Sequence, residues 1–433
     1  MAAAAIASYA TPTAAAKANQ VQLQHDPNRR LFRVRTELEV EGNVELSKNS
    51  LTSKKRARQL PVKATSVLDY EERLERSGAV AIASERYYYE AQSTGKLAGT
   101  ENGAELRDNA RRIIVHSGNE RSVSYAQSEY LTHQEIDLLR LPANSLAMDD
   151  LLPREPVAAG DKYKVASQSL RRLLDLDAIQ ESDVIGELVS VDQARAQMQI
   201  KGNVQGSVDG VATSIDIAAK LVFDRQQRAS TWLAMAMREK RDIGKAEPGF
   251  EVAATLKMIR KPLTKPNAIH RPAKIALSGP PEERLLVELT SKRAGFGTLM
   301  DRRWRIVSET PGLVTMRMTD SDRSIAQCDI RPLGALKAGE QLTLEALQAD
   351  VRDSLGKQFG EFLQAEEKLN SSGLRILQIS GAGSVEQIPM HWIFIHCSDD
   401  SGRRVLATFT LEAEKVSDFS GADVQFSGAV HFL

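Results

Sequence analysis

GELVSVDQARAQMQIKGNV (186–204), GVATSIDIAAKLVFD (210–224), RASTWLAMAMREKRD (228–242) and FEVAATLKMIRKP (250–262) are four long runs rich in Val, Ile, Leu and Met. Turn residues and short polar gaps separate them, with no helix-length pattern between. Successive runs of that kind describe an antiparallel meander. Gly206, Asp209 and Gly210 supply one tight reversal, and Asp224-Arg225-Gln226-Gln227 the next. Within the third run, Trp232, Ala234 and Ala236 share one face, while Leu233, Met235 and Met237 share the other. Neither face is polar, so this strand is expected to be covered on both sides.

Upstream, Leu31–Leu46 alternates apolar and charged residues through Phe32, Val34, Leu38 and Val40, the period of a strand with one wet face. Leu60–Leu74 and Val80–Glu90 continue in the same manner. Tyr87 and Tyr89 should share a face, with Tyr88 on the other. Asn102–Asn109 reads as a loop or short helix, and Arg111–His116 with Ser122–Gln127 as a hairpin. Lys54, Lys55, Arg56 and Arg58 form a basic cluster, read as a solvated loop. Glu71, Glu72 and Glu75 read as a solvated face.

The period then shifts. Thr132 with Glu135 has capping-box spacing ahead of Ile136, Leu138 and Leu139. Leu170, Leu173 and Leu174 lie at i, i+3 and i+4 on a short amphipathic helix with Ser167 as its candidate N-cap. This helical insert must bury its stripe, and the sheet is the available surface. The expectation is a curved, half-barrel-like antiparallel sheet covered by short helices. Two readings of the space beneath are open. In one, Trp232, Ala234, Ala236, Leu170, Leu173 and Leu174 line an apolar ligand site. In the other, the leucines fill it.

Residues 262–281 carry five of the chain's 15 prolines and little periodic pattern, which marks a stiff connector. The expected division is a leader at 1–28, a β-rich domain with helical insert at 29–262, a linker at 263–283 and an α+β domain at 284–433. The last opens on short strands at 285–289, 304–307, 314–318 and 325–330. A helical period at 343–369 follows, interrupted by Gly356 and Gly360. Strands return at 374–380, 390–396 and 405–411, and 419–432 reads as helical.

Some phrases of this C-terminal half resemble the PsbP and Mog families: RRWRIV around Trp304, IAQCDIRPL at 325–333, the GEQLTLE lead into the helix at 339–345, Gly373-Leu374-Arg375, Pro389-x-x-Trp392, and DDSGRRVLATFTLE at 399–412. The resemblance covers about a third of the chain. It implies an antiparallel sheet flanked by helices that serves as an accessory or binding module, with no common catalytic set. The N-terminal half is similar in outline, without a motif, to the LolA and LolB lipoprotein carriers. That similarity implies an apolar ligand beneath the helices.

Composition bounds the function. Apolar content of 42% and charged content of 26% belong to a globular chain, and a formal net charge of zero argues against a global polyanion partner while leaving room for a local patch. No stretch approaches the roughly 20 apolar residues of a membrane span. Cys328 and Cys397 are read as small buried hydrophobes, with a disulfide between them as the alternative. No metal or cofactor motif is visible. Gly381-Ala382-Gly383 leads into a strand rather than a helix. His391 and His396 are read as lone polar residues at a sheet edge, and Asp399–Gly402 as a hairpin turn. Met1–Ala18 is Ala-rich with A-x-A sites. It reads either as the tail of a secretory signal or as a disordered cytoplasmic leader. The expectation is a non-enzymatic exported or envelope protein that binds a protein partner or an apolar ligand. The alternative is an enzyme whose site is assembled from scattered residues.

Overall fold

The computed structural model describes residues 20–46, 58–78, 80–117, 121–245, 247–337 and 339–433. The A-x-A sites and the basic residues Lys54 to Arg56 lie outside them. The meander is present as Ile185–Val191, Arg195–Val208, Val211–Asp224, Ala229–Arg241 and Gly249–Pro262, each antiparallel to the next. The first run splits in two because the Asp192 carboxylate accepts the backbone N–H groups of Ala194 and Arg195 and reverses the chain. Asp209 (φ 51°) and Gly210 (φ 80°) form a two-residue turn with both φ values positive, which suits Asp-Gly.

Leu31–Leu46 pairs with Gly249–Pro262 on one side and Arg58–Ser77 on the other, which joins both ends of this half into one sheet. Val80–Leu97, Arg112–His116 and Val123–Ala126 extend it. The sheet has 13 strands, two of them branching from the main path. One of these, Thr100–Glu105, replaces the expected loop or helix. Among the described residues there are three sheets, and none of them closes.

Helices cover one face of this sheet. The capping box forms as read, with Thr132 Oγ1 accepting from Glu135 N and Thr132 N donating to Glu135. The second helix, Ser167–Leu174, begins one residue earlier than expected, with Ala166 rather than Ser167 at the N-cap and no side-chain cap. Between them Ser145–Leu151 forms a 3-10 turn that packs on the Val80–Leu97 and Ala229–Arg241 strands. The opposite face of the meander is open, contrary to expectation. Leu233, Met235 and Met237 are buried, whereas Trp232 and Ala234 are half-buried and Ala236 is exposed. Alanine is small enough to be tolerated on either side, so apolar character alone did not identify a buried face.

The C-terminal half holds a seven-stranded antiparallel sheet with Trp304–Thr310 at one edge and Phe359–Leu369 at the other. The expected long helix stops at Leu355. Gly356 follows at φ 51°, and the rest of the run is the edge strand Phe359–Leu369. The last stretch forms two short helices, Val416–Phe419 and Ala422–Ala429, and the strand His431–Phe432. A four-stranded sheet ties the halves together. Leu286–Ser291 pairs antiparallel with Phe296–Asp301 and parallel with Leu131–Thr132.

The connector is docked rather than free. Glu71, fully buried, accepts the backbone N–H groups of Asn267, Ala268 and Ile269 at 2.8, 3.0 and 3.0 Å. Buried Glu85 accepts that of Ala273 at 2.7 Å. Glu72 is also fully buried, so the expected acidic face is solvated only at Glu75. Buried apolar residues from both sides of the connector belong to one contiguous cluster that includes Leu38, Leu233, Val287 and Trp304. A smaller cluster lies under helix Leu344–Leu355. Gln20–Asn28 joins the fold as well, against expectation: Val21 pairs with Val157 and Leu23 is buried. Cys328 and Cys397 are free and buried. His396 lies in the central strand Ile388–Ser398, fully buried rather than at an edge. Asp399 accepts from Ser401 and Arg403 to make the expected hairpin turn. Among the described residues no helix is long and apolar enough to cross a membrane.

Candidate functional site

The six residues expected to line an apolar cavity fall on opposite sides of the sheet. Leu170, Leu173 and Leu174 sit in the main core at 0, 3 and 7% exposure. Trp232, Ala234 and Ala236 face outward. The helix stripe therefore packs on the sheet's inner face, and among the described residues the two sets of side chains lie on opposite sides of the sheet.

Three ionic groups occupy the space under the helices. Arg86 donates to Glu72 at 2.9 Å and to Asn144 and Ser145, beneath the Tyr70–Tyr88 ring pair. Arg76 and the fully buried Arg260 share Asp149, at 3.3 and 3.0 Å, with Arg260 stacked on Phe32. Arg172 pairs with Asp150 and bonds the Ala81 carbonyl and Ser117. Arg76 also donates to His25 Nε2 at 3.0 Å, which fixes the neutral imidazole's proton on Nδ1. Burial, and then the Arg76 charge, hold the His25 pKa below its ordinary value. These groups brace the helices against the sheet. Sequence reading missed them because each partner is distant in the chain.

One cleft lies where the halves meet. It has a volume of about 280 Å³ and is walled by Arg121, Ser122, Ser124, His133 and Arg140 from the first half, and by Arg302, Arg303, Arg305 and Thr319 from the second. Asp209, Glu247, Asp320 and Asp322 also reach it. Most of its charges are already paired. Arg121 is held among Asp175, Asp177 and Asp209, and Arg303 bonds Asp301. Arg305 meets Asp137 at 3.4 Å, and Asp322 accepts the Lys245 N–H.

Arg302 differs. No carboxylate lies within ion-pair distance of it among the described residues; its Nη2 donates to the Arg284 carbonyl at 3.2 Å, and its buried Nε has no acceptor. Burial, only partly offset by Asp301, lowers its pKa to about 10. Burial likewise pushes Glu247 up. His133 is held down by burial and then by the Arg305 charge. Its Nε2 meets the Trp304 carbonyl at 2.5 Å, and its Nδ1 is enclosed without a partner. The sequence signal for this site was the Arg302-Arg303-x-Arg305 run. Its meaning depends on residues about 180 positions earlier.

No family model matches this chain, and no curated protein matches it in sequence. Among solved structures it is similar to the cyanobacterial PsbP protein (CyanoP) of Synechocystis sp. PCC 6803, at 14% identity over 34% of this chain and 92% of that one, with a TM-score of 0.28. It is also similar to lipovitellin, at 7% identity over 56% of this chain and 26% of that one, with a TM-score of 0.32. A third likeness, to OccAB1 of Acinetobacter baumannii, has 6% identity over 88% of this chain and 96% of that one, with a TM-score of 0.14. Superpositions this loose carry no functional argument.

Proposed function

We propose that this chain is a non-catalytic binding protein that takes an acidic segment of a protein partner into the cleft between its halves. Arg302 is the observation that supports it most. A guanidinium that is largely withdrawn from water without a carboxylate is costly. An incoming carboxylate would satisfy it with a charge-assisted hydrogen bond. Arg140, whose nearest carboxylate is Asp175 at 3.5 Å, lies in the same wall. The filled space beneath the helices weighs against the apolar-ligand form of this reading.

An enzyme is the second reading, favoured by Glu247 and His133 in one cleft with perturbed acidities. His133 weakens it: one nitrogen is committed to the Trp304 carbonyl and the other is enclosed, so neither is presented to a substrate. Export remains the compartment part of the proposal and rests on the Ala-rich residues 1–18; an intact Met1 in protein from the native host would overturn it.

The binding reading is tested by titrating fluorescent oligoglutamate and oligolysine peptides onto the full chain. Oligoglutamate should bind and oligolysine should not, and Arg302→Met should weaken the former by about tenfold or more. Equal binding of both peptides, or an unaltered affinity in the folded variant, would sink the reading.

A further inference from the structure

The outward face of the meander carries an unpaired basic ring around an apolar centre. Register places Val222, Trp232 and Ile259 side by side on three adjacent strands. Ile259 is 54% exposed. Ala234 on the same face, between Lys220 and Lys257, and Ala236, with Ala218 and Thr255 opposite it, add no bulk, and none of the apolar residues among these lines the cleft at Arg302.

Around this centre stand Arg195, Lys201, Lys220, Arg238, Lys257 and Lys261, all exposed. None lies within ion-pair distance of a carboxylate among the described residues. Lys257 and Lys261 flank Ile259 on its own strand, and Lys220 stands two residues from Val222, about 7 Å away along a strand. Asp216, Asp224 and Glu251 are the acids on the same face of these four strands, Lys240 adds a further exposed cation, and Glu37 on the adjoining strand stands in register with Lys257, so the face keeps a basic excess in a chain of zero net charge.

We infer that this face docks on an anionic lipid surface. A basic face with Trp, Ile and Val at its centre fits the lipid–water boundary. The aromatic and aliphatic side chains enter the headgroup layer there, and the lysine stems lie along it with their ammonium groups on lipid phosphates. Six unpaired cations match the attraction such a surface exerts, roughly fivefold in partitioning for each basic residue near it. A partner protein would need a complementary acidic face. The outward-facing Val222–Trp232–Ile259 centre, set among exposed lysines and arginines that lack ion-pair partners among the described residues, favours the bilayer.

The full chain should be sedimented with vesicles of phosphatidylcholine alone and of phosphatidylcholine with about a third phosphatidylglycerol. Binding is expected only to the anionic vesicles and should fall steeply in high salt. Trp304 and Trp392 are buried, so the emission change should come from Trp232, shifting blue and quenching with brominated acyl chains. Lys220→Glu with Lys257→Glu should lower partitioning by about tenfold or more. Trp232→Ser should remove the blue shift while leaving a weaker, salt-sensitive association. Both variants alter exposed side chains and should keep the wild-type far-UV spectrum and the oligoglutamate affinity of the cleft. The inference is overturned by absence of binding to anionic vesicles, or by binding that the double reversal leaves unchanged. It is equally overturned if the face proves to hold oligoglutamate or DNA while ignoring vesicles.

Discussion

His396 should make the C-terminal half sensitive to mild acid. Its side chain is fully enclosed in the central strand Ile388–Ser398, and neither ring nitrogen has a hydrogen-bond partner. Burial, with the Arg404 and Arg375 charges adding to it, lowers its pKa from 6.5 to about 4. The unfolded chain therefore binds the proton more tightly than the folded one. Stability is complete above pH 6.5 and is lost as pH falls from there towards 4. At pH 5 the linkage amounts to about 2 kcal/mol, and below pH 4 to about 3 kcal/mol. His396→Leu removes the titrating group at similar volume. It also removes an N–H buried without an acceptor, which costs about 1–3 kcal/mol. The variant should therefore be no less stable than wild type at pH 7. The assay is urea unfolding of both proteins at pH 7 and pH 5, followed by tryptophan fluorescence. Trp304 and Trp392 lie buried in this half and report its melting. Glu135 and Asp149, whose pKa values are lowered, also lose stability in acid, but they are common to both proteins and cancel in the difference. The gap between variant and wild type should widen by about 2 kcal/mol on going from pH 7 to pH 5. A gap that stays constant would refute the reasoning.

Glu71→Ala should release the connector, because three backbone N–H groups would lose their acceptor at a cost of roughly 1–3 kcal/mol each if they stayed buried. Limited proteolysis should then cut within 263–285 far faster than in wild type, and an unchanged cutting rate would show that the docking is incidental. Leu170→Ala should cost about 2–5 kcal/mol, measured by denaturant unfolding, since the side chain is fully enclosed. A loss below about 1 kcal/mol would mean the helix is not held by its apolar stripe.

Legibility tracked the range over which each signal acts. The meander could be read because its strands carry a local period and its turns carry Asp-Gly chemistry. Helix His133–Leu139 could be read because its cap is written within four residues. The break at Gly356 was visible as a glycine, but the strand after it was not. Phe359, Phe362 and Leu363 fit a helical period as well as an edge strand, and pairing with Arg375–Val385 decided the matter. The strand Phe296–Asp301 was missed because it is short and glycine-containing and depends on partners at both ends of the half. Glu71 and Glu72 show the limit most directly. As sequence they are two acids on a wet surface. In the fold they point to opposite faces and are both fully buried, one against a connector about 200 residues away and the other against Arg86 and Ser145. The cleft was illegible for the same reason, since its walls come from separate halves.

Lifting the helical cover to admit an apolar ligand would be costly. Lifting it would expose Leu146, Met148, Leu170, Leu173 and Leu174, all buried now. At about 2 kcal/mol for each side chain, exposing them costs roughly 10 kcal/mol, as much as the whole stability of an ordinary domain. The motion would also part Asp149 from Arg76 and Arg260, and Ser145 from Glu72. A ligand entering there would have to repay all of this from its own burial and still find a home for the charges. The Arg302 cleft and the basic face around Trp232 require no such opening, since both are already open at the surface. The two surfaces proposed for binding are therefore ones that the braced interior holds still.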